Sequence, residues 1–64
     1  MIHVNGRADN FLSESVDELL SRLAVERRGI AVALDGEIVR RSDWASTFVP
    51  DESSVEIVTA AAGG

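Results

Sequence analysis

Cysteine is absent from this chain of 64 residues, and so is lysine. The lack of cysteine excludes a disulfide framework, a zinc site with cysteine ligands and a thiol nucleophile. A small domain without disulfides fits a reducing compartment. Since no lysine amine can receive an isopeptide bond, the chain could donate its own C-terminus to another molecule but could not build chains on itself.

Long apolar runs are also missing. No run comes close to the roughly 20 residues that a membrane-spanning helix needs. The first residues, MIHVNG, lack the basic, apolar and small-residue regions of a signal peptide. We therefore expect a soluble protein of the cytoplasm with no membrane partner.

Basic residues are scarce, and the formal net charge is −5. Nucleic-acid-binding domains carry basic patches, so this balance argues against a nucleic-acid partner. From Ser42 onward the chain has acidic residues and no basic one. Such an acidic end favours a partner with a basic docking surface, because opposite charges raise the rate of association. A solvated acidic surface without a partner explains the charge equally well.

The residue types that carry catalysis are few. The one histidine, His3, falls in a strand-like run, where a histidine is more often a surface or edge residue than a general base. The serines fall at helix caps and in loops, where hydroxyls bond to backbone amides, and none has the context of a nucleophile elbow. No glycine-rich loop resembles a phosphate cradle. We expect that the chain is not an enzyme and binds no cofactor or metal of its own.

Local signals predict a hairpin followed by a helix. An Asn-Gly dipeptide at 5–6 separates two strand-like runs, and it is the strongest short signal for a tight hairpin turn. A capping box then predicts the start of a helix, and apolar residues recur with helical spacing over about three turns. Two arginines and a glycine follow where the helix should end. The capping box is Ser15 with Glu18, the apolar stripe is Val16, Leu19, Leu20 and Leu23, and the end signals are Arg27, Arg28 and Gly29.

Three further strands are predicted in the second half of the chain. The run at 30–34, IAVAL, is apolar and rich in β-branched residues, which predicts a buried central strand. An Asp-Gly dipeptide at 35–36 predicts a second tight turn into a short strand at 37–39. The last strand is predicted at 55–59, after a loop marked by a Pro-Asp dipeptide.

This order of elements predicts one α+β domain. A hairpin, a crossing helix and further strands make a mixed sheet packed on one amphipathic helix, with the last strand beside the first. That is the β-grasp, or ubiquitin-like, fold. Residues 1–59 form the predicted domain, and residues 60–64 form a flexible C-terminal tail that ends in Gly-Gly. Before the last strand, Ser42 could cap a brief helical turn that carries Trp44.

Strand alternation predicts an open face on the side of the sheet away from the helix, because successive side chains point to opposite faces. This face would be flat and would carry mainly small residues, so a partner could cover it. A face that simply meets water is an equal alternative. The inward set is Ile2, Val4, Ile30, Val32, Leu34, Val55 and Ile57, and the outward set is His3, Ala31, Ala33, Glu56 and Val58.

The tail consists of small residues. Gly63 and Gly64 lack Cβ atoms and can pass through a narrow channel, and Ala62 with its neighbours adds little width. Fully extended, five residues span about 17 Å. These properties suit a carboxylate that must enter the active site of another protein. An idle end of small residues is the alternative, but a diglycine directly after the last strand of a domain of this plan argues against it.

With these features the sequence resembles the ThiS family, the ubiquitin-like sulfur carriers of thiamine thiazole biosynthesis. The resemblance covers essentially the whole chain. It rests on VNG near the start, SVDELL in the helix, ALDGEIVRRSDWA in the middle, VEIVTA in the last strand and the final GG. The diglycine is shared by all ubiquitin-like carriers, whereas GEIVRRSDW is the most specific element. Members of the family often have proline where this chain has Arg40.

The resemblance implies a carrier that is modified at the carboxylate of Gly64. A ThiF-like adenylating enzyme would use ATP and magnesium to form an acyl-adenylate there. Sulfur from a cysteine desulfurase or another donor would replace AMP and leave a thiocarboxylate, and a ThiG-like thiazole synthase would take that sulfur into the thiazole ring. Gly63 and Ala62 would give the tail access. Trp44 and Val58 are candidate contacts with partners, although a tryptophan in so small a domain is more often part of the core.

Four other functions stay open. The small subunit of molybdopterin synthase shares the diglycine, but its members tend to be longer and lack the RRSDW-like stretch. A related carrier could serve the synthesis of cysteine or of other sulfur metabolites. A protein modifier would attach Gly64 to lysines of its targets. A plain interaction module would leave the tail idle.

Overall fold

The computed structural model describes residues 1–10 and 14–59. The elements in this part of the chain are β1 (Ile2–Val4), β2 (Arg7–Asp9), α1 (Val16–Arg22), β3 (Ile30–Leu34), β4 (Glu37–Val39), a 3₁₀ helix (Arg41–Asp43) and β5 (Ser54–Thr59). The strands form one sheet in the order β2-β1-β5-β3-β4, and α1 packs on it. Strands β1 and β5 are parallel, and the other neighbouring pairs are antiparallel. The predicted mixed sheet and helix of the β-grasp fold are confirmed.

Strand β5 occupies the centre of the sheet. It lies beside β1, as predicted, with Val4 opposite Val55. On its other side it pairs with the whole of β3, as far as Ile30 opposite Thr59. The strand β1 ends at Val4, so β5 runs past the end of this neighbour before it reaches Thr59.

The face of the sheet toward α1 forms the hydrophobic core. The predicted alternation is confirmed on this face, because every inward residue is either buried or packed against buried residues. On the other face His3, Glu56 and Val58 are exposed, whereas Ala31 and Ala33 are half-buried because strands flank them on both sides. The buried core consists of Ile2, Val16, Leu19, Leu20, Val32, Trp44, Val49 and Val55.

Both hairpin turns have the predicted conformation. The φ angles of Asn5 and Gly6 are 51° and 83°, and those of Asp35 and Gly36 are 50° and 89°. Positive φ at both central positions is typical of the type I′ turn, whose twist matches that of the flanking strands. Asparagine and aspartate enter this region more readily than other side chains, and glycine enters it freely.

The helix α1 begins where the capping box predicts. The N–H of Glu18 donates to Oγ of Ser15 at 3.1 Å, and the N–H of Ser15 donates to Oε1 of Glu18 at 2.8 Å. The N–H of Val16 donates to the carbonyl oxygen of Thr47 at 2.8 Å. These bonds satisfy backbone donors that have no partner within the helix.

The helix is shorter than predicted. It ends after Arg22, which makes about two turns instead of three. Ala24 has a φ of 57°, and the N–H groups of Ala24 and Val25 donate to carbonyls of the last helical turn at 3.1 Å and 3.0 Å. This pair of bonds is the Schellman motif, which ends a helix through one residue in the left-handed region. An alanine in that position gives no sequence signal, so the prediction extended the helix too far.

Arg27, Arg28 and Gly29 therefore lie after the helix, and their predicted place at its end was wrong. Gly29 has a φ of 66° but leads directly into β3. Arg27 turns back to the helix: Nη2 donates to the carbonyl oxygen of Asp17 at 2.9 Å and to Oγ of Ser21 at 2.7 Å. Its Nε also donates to Oδ1 of Asp17 at 3.1 Å. This side chain fastens the segment after α1 to the helix.

The brief helical turn before Trp44 is present as the 3₁₀ helix, but Ser42 lies inside it and is not its cap. The N-cap residue is Arg40, and its side chain makes no capping bond. The N–H of Asp43 donates to the carbonyl oxygen of Arg40 at 2.8 Å. A single turn closed by this bond forms without a serine cap.

Candidate functional site

The predicted reactive end of the chain follows β5. Thr59 is the last residue that the structure describes, and it lies opposite Ile30 at the end of the central strand. Ala62, Gly63 and Gly64 lie outside the described residues, so the roles assigned to them stay predictions. The structure gives the place from which the last five residues start.

The first residues of the two hairpin turns hold β5 with their side chains. At the start of the strand, Oδ1 of Asp35 accepts a hydrogen bond from the N–H of Ser54 at 2.9 Å. Closer to its end, Nδ2 of Asn5 donates to the carbonyl oxygen of Ile57 at 3.1 Å. Oδ1 of Asn5 also accepts from the N–H of Ile57 at 2.7 Å. The carboxamide of Asn5 thus extends the pairing of β5 beyond the end of β1.

The open face of the sheet carries an apolar surface beside the end of β5. Ile38 is 70% exposed and Val58 is 56% exposed. Val58 lies opposite Ala31, and Ile38 lies opposite Ala33. Directly opposed residues of neighbouring strands point to the same face, so the four side chains form one surface across β4, β3 and β5. We call Ala31, Ala33, Ile38 and Val58 the open-face patch.

Sequence reasoning found three of these residues and missed Ile38. The signal was present, because a two-residue turn at 35–36 fixes the register of the hairpin and places residue 38 opposite Ala33. The prediction recognised a short strand at 37–39 but assigned no face to its residues. Val58 stays a candidate contact with partners, and its exposure on the open face is what such a contact requires.

Trp44 lies in the core. It is 4% exposed, and its Nε1–H donates to the carbonyl oxygen of Val39 at 3.0 Å. The guanidinium of Arg41 lies 5.8 Å from the ring centroid. The indole therefore has almost no surface to offer a partner, and the structure supports the alternative of a core tryptophan over the predicted contact residue.

Acidic residues gather at the end of the sheet where β5 begins, away from Thr59. The N–H of Asp35 donates to the carbonyl oxygen of Ser54 at 2.8 Å, which places the second hairpin turn at this end. Glu56 is exposed opposite Ala33, so it borders the open-face patch. A partner that covers the patch also meets this charge, which favours a basic rim on the partner. The acidic residues at this end are Asp35, Glu37, Asp51, Glu52 and Glu56.

Two of these carboxylates lie near the amino group of Met1. That group donates to Oδ1 of Asp51 and lies 3.8 Å from Oε2 of Glu52. This hydrogen bond lowers the pKa of the Asp51 carboxyl and raises the pKa of the amino group. Both groups are exposed to solvent, where an ion pair contributes little to stability.

A second charged cluster, on the connection from β2 to α1, is structural. Nη1 of Arg22 lies 3.0 Å from Oδ1 of Asp9, and Nη2 lies 2.9 Å from Oε2 of Glu14. The hydrogen bonds to Glu14 raise the pKa of the Arg22 guanidinium. This arginine joins the end of β2 to the residue before the helix cap.

Within residues 1–10 and 14–59, no group of three or more histidine, cysteine, aspartate or glutamate side chains is placed to hold a metal ion. The helices in this part of the chain are too short or too polar to cross a membrane.

Comparison with known proteins agrees with this arrangement. The sequence model of the ThiS family matches residues 2–64. The crystal structure of the thiamine biosynthesis protein ThiS from Geobacter metallireducens is similar, with a TM-score of 0.82 and 36% identity, and the alignment covers 98% of this chain and 97% of that one. An NMR solution structure of a thiamine biosynthesis protein from the same organism has a TM-score of 0.74 and 36% identity, with 98% and 86% covered.

A longer relative also matches. A thiazole synthase from Paramagnetospirillum magneticum is 40% identical over 62 residues, which is 95% of this chain. The chain spans 19% of that protein, about a fifth of its length. The family match covers nearly every residue, and the two solved structures share the fold at 36% identity. The chain belongs to the ThiS family, as the sequence resemblance predicted.

Proposed function

We propose that the chain is a sulfur carrier of thiamine thiazole biosynthesis that acts in the cytoplasm as a protein co-substrate and not as an enzyme. Membership of the ThiS family supports this function. One observation carries the proposal: the central strand ends at Thr59 next to Val58 of the open-face patch, and in the sequence it is followed by residues 60–64, which end in Gly-Gly. A partner that covers the patch would receive the tail in the same encounter.

Activation would take place at the carboxylate of Gly64. A free carboxylate is a poor electrophile because it has no good leaving group. A ThiF-like adenylating enzyme would join a carboxylate oxygen to the α-phosphorus of ATP and release pyrophosphate. The acyl-adenylate has AMP as its leaving group. ATP and magnesium would be bound by this partner, and the carrier would supply only the acyl group.

Sulfur would then replace AMP. A persulfide from a cysteine desulfurase or a similar donor would attack the acyl carbon, and AMP would leave with the bonding electron pair. The acyl disulfide that results would be cleaved by a thiol reductant, which is oxidised to a disulfide and leaves a thiocarboxylate on Gly64. A ThiG-like thiazole synthase would take this sulfur into the thiazole ring, and the carboxylate would return for another cycle.

The small residues of the tail suit this delivery. Five residues span about 17 Å when they are extended, which is enough to bring a terminus from the sheet into a partner's active site. Gly63 and Ala62 would let the chain pass through a narrow entrance. No residue of the tail needs to take part in the chemistry except Gly64, whose carboxylate is the reacting group.

We assign the open-face patch as the docking surface for the adenylating enzyme. Val58 and Ile38 would supply the apolar contact, because both side chains are more than half exposed. Glu56 at the border of the patch would meet a basic residue of the partner. Trp44 takes no direct part in this surface, since it is buried.

The acceptor of the sulfur is proposed on separate grounds. The longer relative is named a thiazole synthase, which supports a thiazole synthase as a partner of this chain. The adenylating enzyme and the sulfur donor follow from the family resemblance alone. A carrier for molybdopterin or cysteine synthesis would share the first two steps and differ in the acceptor.

Growth of a deletion strain tests the proposed pathway. Loss of the gene should abolish growth without thiamine, and added thiamine should restore it. The full chain should complement the deletion, whereas a chain that lacks Gly64 should not. Normal growth without thiamine, in a strain that has no second member of the family, would contradict the proposal. A requirement for cysteine, or loss of molybdenum enzymes, would assign the carrier to the related pathway instead.

A further inference from the structure

We propose that Asn5 is a positioning residue for the reactive C-terminus, because its carboxamide fixes the point at which the tail leaves the sheet. The inference rests on the proposed function and deepens it. It concerns a side chain in the first hairpin turn, far from Gly64 in the sequence and outside the open-face patch.

The carboxamide replaces a missing residue of β1. Backbone pairing between β1 and β5 ends with Val4 opposite Val55, and the N–H of Asn5 donates to the carbonyl oxygen of Val55 at 2.8 Å. The next backbone groups of β5 that face β1 belong to Ile57. Nδ2 and Oδ1 of Asn5 bond to both of them, at 3.1 Å and 2.7 Å. A carboxamide carries the same donor and acceptor as a peptide group, so it continues the ladder by one pair.

These two bonds hold β5 at a point where its backbone pairing with β1 has already ended. Residues 54, 56 and 58 of β5 turn their backbone groups toward β3, as the bond from the N–H of Asp35 to Ser54 shows. Residues 55, 57 and 59 turn theirs toward β1, which stops at Val4. Among the described residues, only Asn5 bonds to β5 on that side beyond Val55. Without its side chain the end of β5 would be held by β3 alone.

The choice of asparagine follows from two demands. The turn needs a first residue that accepts a φ of 51°, which favours asparagine, aspartate and glycine. The ladder needs a donor and an acceptor together, which only asparagine of the three provides. Asp35, in the equivalent position of the second turn, has only an acceptor to supply, to the N–H of Ser54. At Ser54 the side chain of the turn meets only an N–H, because the carbonyl oxygen of Ser54 is bonded to the N–H of Asp35. At Ile57 it meets both an N–H and a carbonyl oxygen, and a carboxamide can bond to both.

Residues 60–64 follow β5 in the sequence, so the bonds of Asn5 help to fix the point from which they start. Without these bonds β5 is held by β3 alone from Ile57 onward, and that starting point is less well defined. A reacting group that is in its productive orientation for less of the time reacts more slowly. We therefore expect Asn5 to act on the step that uses the carboxylate, and not on docking.

A matched pair of glycine variants tests this. Asn5→Gly and Asp35→Gly both keep the positive φ of the turn, and both remove side-chain bonds to β5. Circular dichroism first establishes a temperature at which both variants are folded. Exchange of the Ile57 amide, followed by NMR, should be about tenfold faster in Asn5→Gly, because its N–H loses the bond to Oδ1 of Asn5. It should be unchanged in Asp35→Gly. Equal exchange at the Ile57 amide in all three proteins would overturn the inference.

Adenylation kinetics give the functional readout. With the adenylating enzyme of the same organism and ATP, we expect kcat for pyrophosphate release to fall about tenfold in Asn5→Gly while KM for the carrier stays within about twofold. Asp35→Gly should keep the wild-type kcat, and the kcat of Asn5→Asp, which keeps the acceptor, should lie between. Because Asp35 belongs to the acidic end of the sheet, the comparison of the two glycine variants uses kcat and not KM. Equal kcat in the two glycine variants, or a change in the KM of Asn5→Gly alone, would overturn the inference and leave the proposed function standing. A wild-type carrier that releases no pyrophosphate would overturn the proposed function and this inference with it.

Discussion

The two faces of the sheet use the same strands for different purposes. On β5, Val55 is 1% exposed and contacts the core beneath α1, whereas Val58, three residues later, is 56% exposed on the open face. Burial of Val55 stabilises the fold through the hydrophobic effect. Val58 remains in water and gains little from folding, and under the proposed function its apolar side chain serves contact with a partner. On that proposal, the difference separates residues that hold the fold from residues that contact a partner.

A replacement in the core on the covered face should cause the largest change in the free energy of unfolding. Leu20 lies on α1 and is fully buried, so Leu20→Ala should lower the free energy of unfolding by about 2–5 kcal/mol. That is a large part of the stability of so small a domain. Urea unfolding followed by circular dichroism measures it. Val58→Ala on the open face should change the same quantity by less than about 0.5 kcal/mol, and equal losses in the two variants would erase the distinction between the faces.

Replacements on the open face should weaken binding to the adenylating enzyme and leave the stability of the domain nearly unchanged. The double variant Ile38→Ser with Val58→Ser removes apolar surface without adding charge. We expect KM for the carrier in adenylation to rise about tenfold or more, because burial of one such side chain in an interface is worth about 1.5–3 kcal/mol. Thermal unfolding should change little.

Phe48→Ser is the matched control for this variant. Phe48 is 61% exposed, but its backbone pairs with Ser15 at the start of α1, which places it on the helix side of the sheet. Its replacement should leave KM unchanged. An equal rise in KM in the control and the double variant would show that the open face has no special role.

The start of α1 offers a smaller test of the covered side. Ser15→Ala removes the acceptor of the capping box, and we expect a loss of about 1 kcal/mol in the free energy of unfolding. Ser42 lies inside the 3₁₀ helix and caps nothing there, so Ser42→Ala serves as its control. Chemical denaturation of both variants decides the matter, and a Ser15 variant as stable as the control would refute the role of the cap.

A replacement at the end of α1 should change the free energy of unfolding least, and it should raise this free energy instead of lowering it. Ala24 has a φ of 57°, which costs an alanine more than a glycine. Ala24→Gly should therefore stabilise the domain by about 0.5–1 kcal/mol. Ala45 is exposed and has no positive φ, so Ala45→Gly should not stabilise it. A melting temperature that falls in the Ala24 variant would argue against the left-handed helix end.

Much of the fold could be predicted from local chemistry. The capping box at Ser15 and the two Asx-Gly turns each involve residues close in the sequence, and each has a narrow set of conformations. Strand alternation identified the covered face because its pattern depends on period alone. The end of α1 could not be predicted, since Ala24 takes a conformation that its residue type disfavours.

The site was harder to predict because it depends on contacts between distant parts of the chain. The bond between Asn5 and Ile57 joins residues 52 positions apart, and no local pattern indicates it. Whether Trp44 lies in the core or on a surface depends on how the loop before β5 packs. Ile38 could have been found from the register of its hairpin, since the turn at 35–36 fixes which residues face each other.

The central claim is that Gly64 carries sulfur, and the intact mass of the protein tests it most directly. The wild type and a chain that lacks Gly64 would each be incubated with the adenylating enzyme of the same organism, ATP, magnesium, a cysteine desulfurase, cysteine and a thiol reductant. The account predicts a mass gain equal to the replacement of one oxygen by one sulfur in the wild type and no change in the shortened chain. An unchanged wild-type mass, with an enzyme and desulfurase shown to be active, would contradict the account, and so would an equal gain in both proteins.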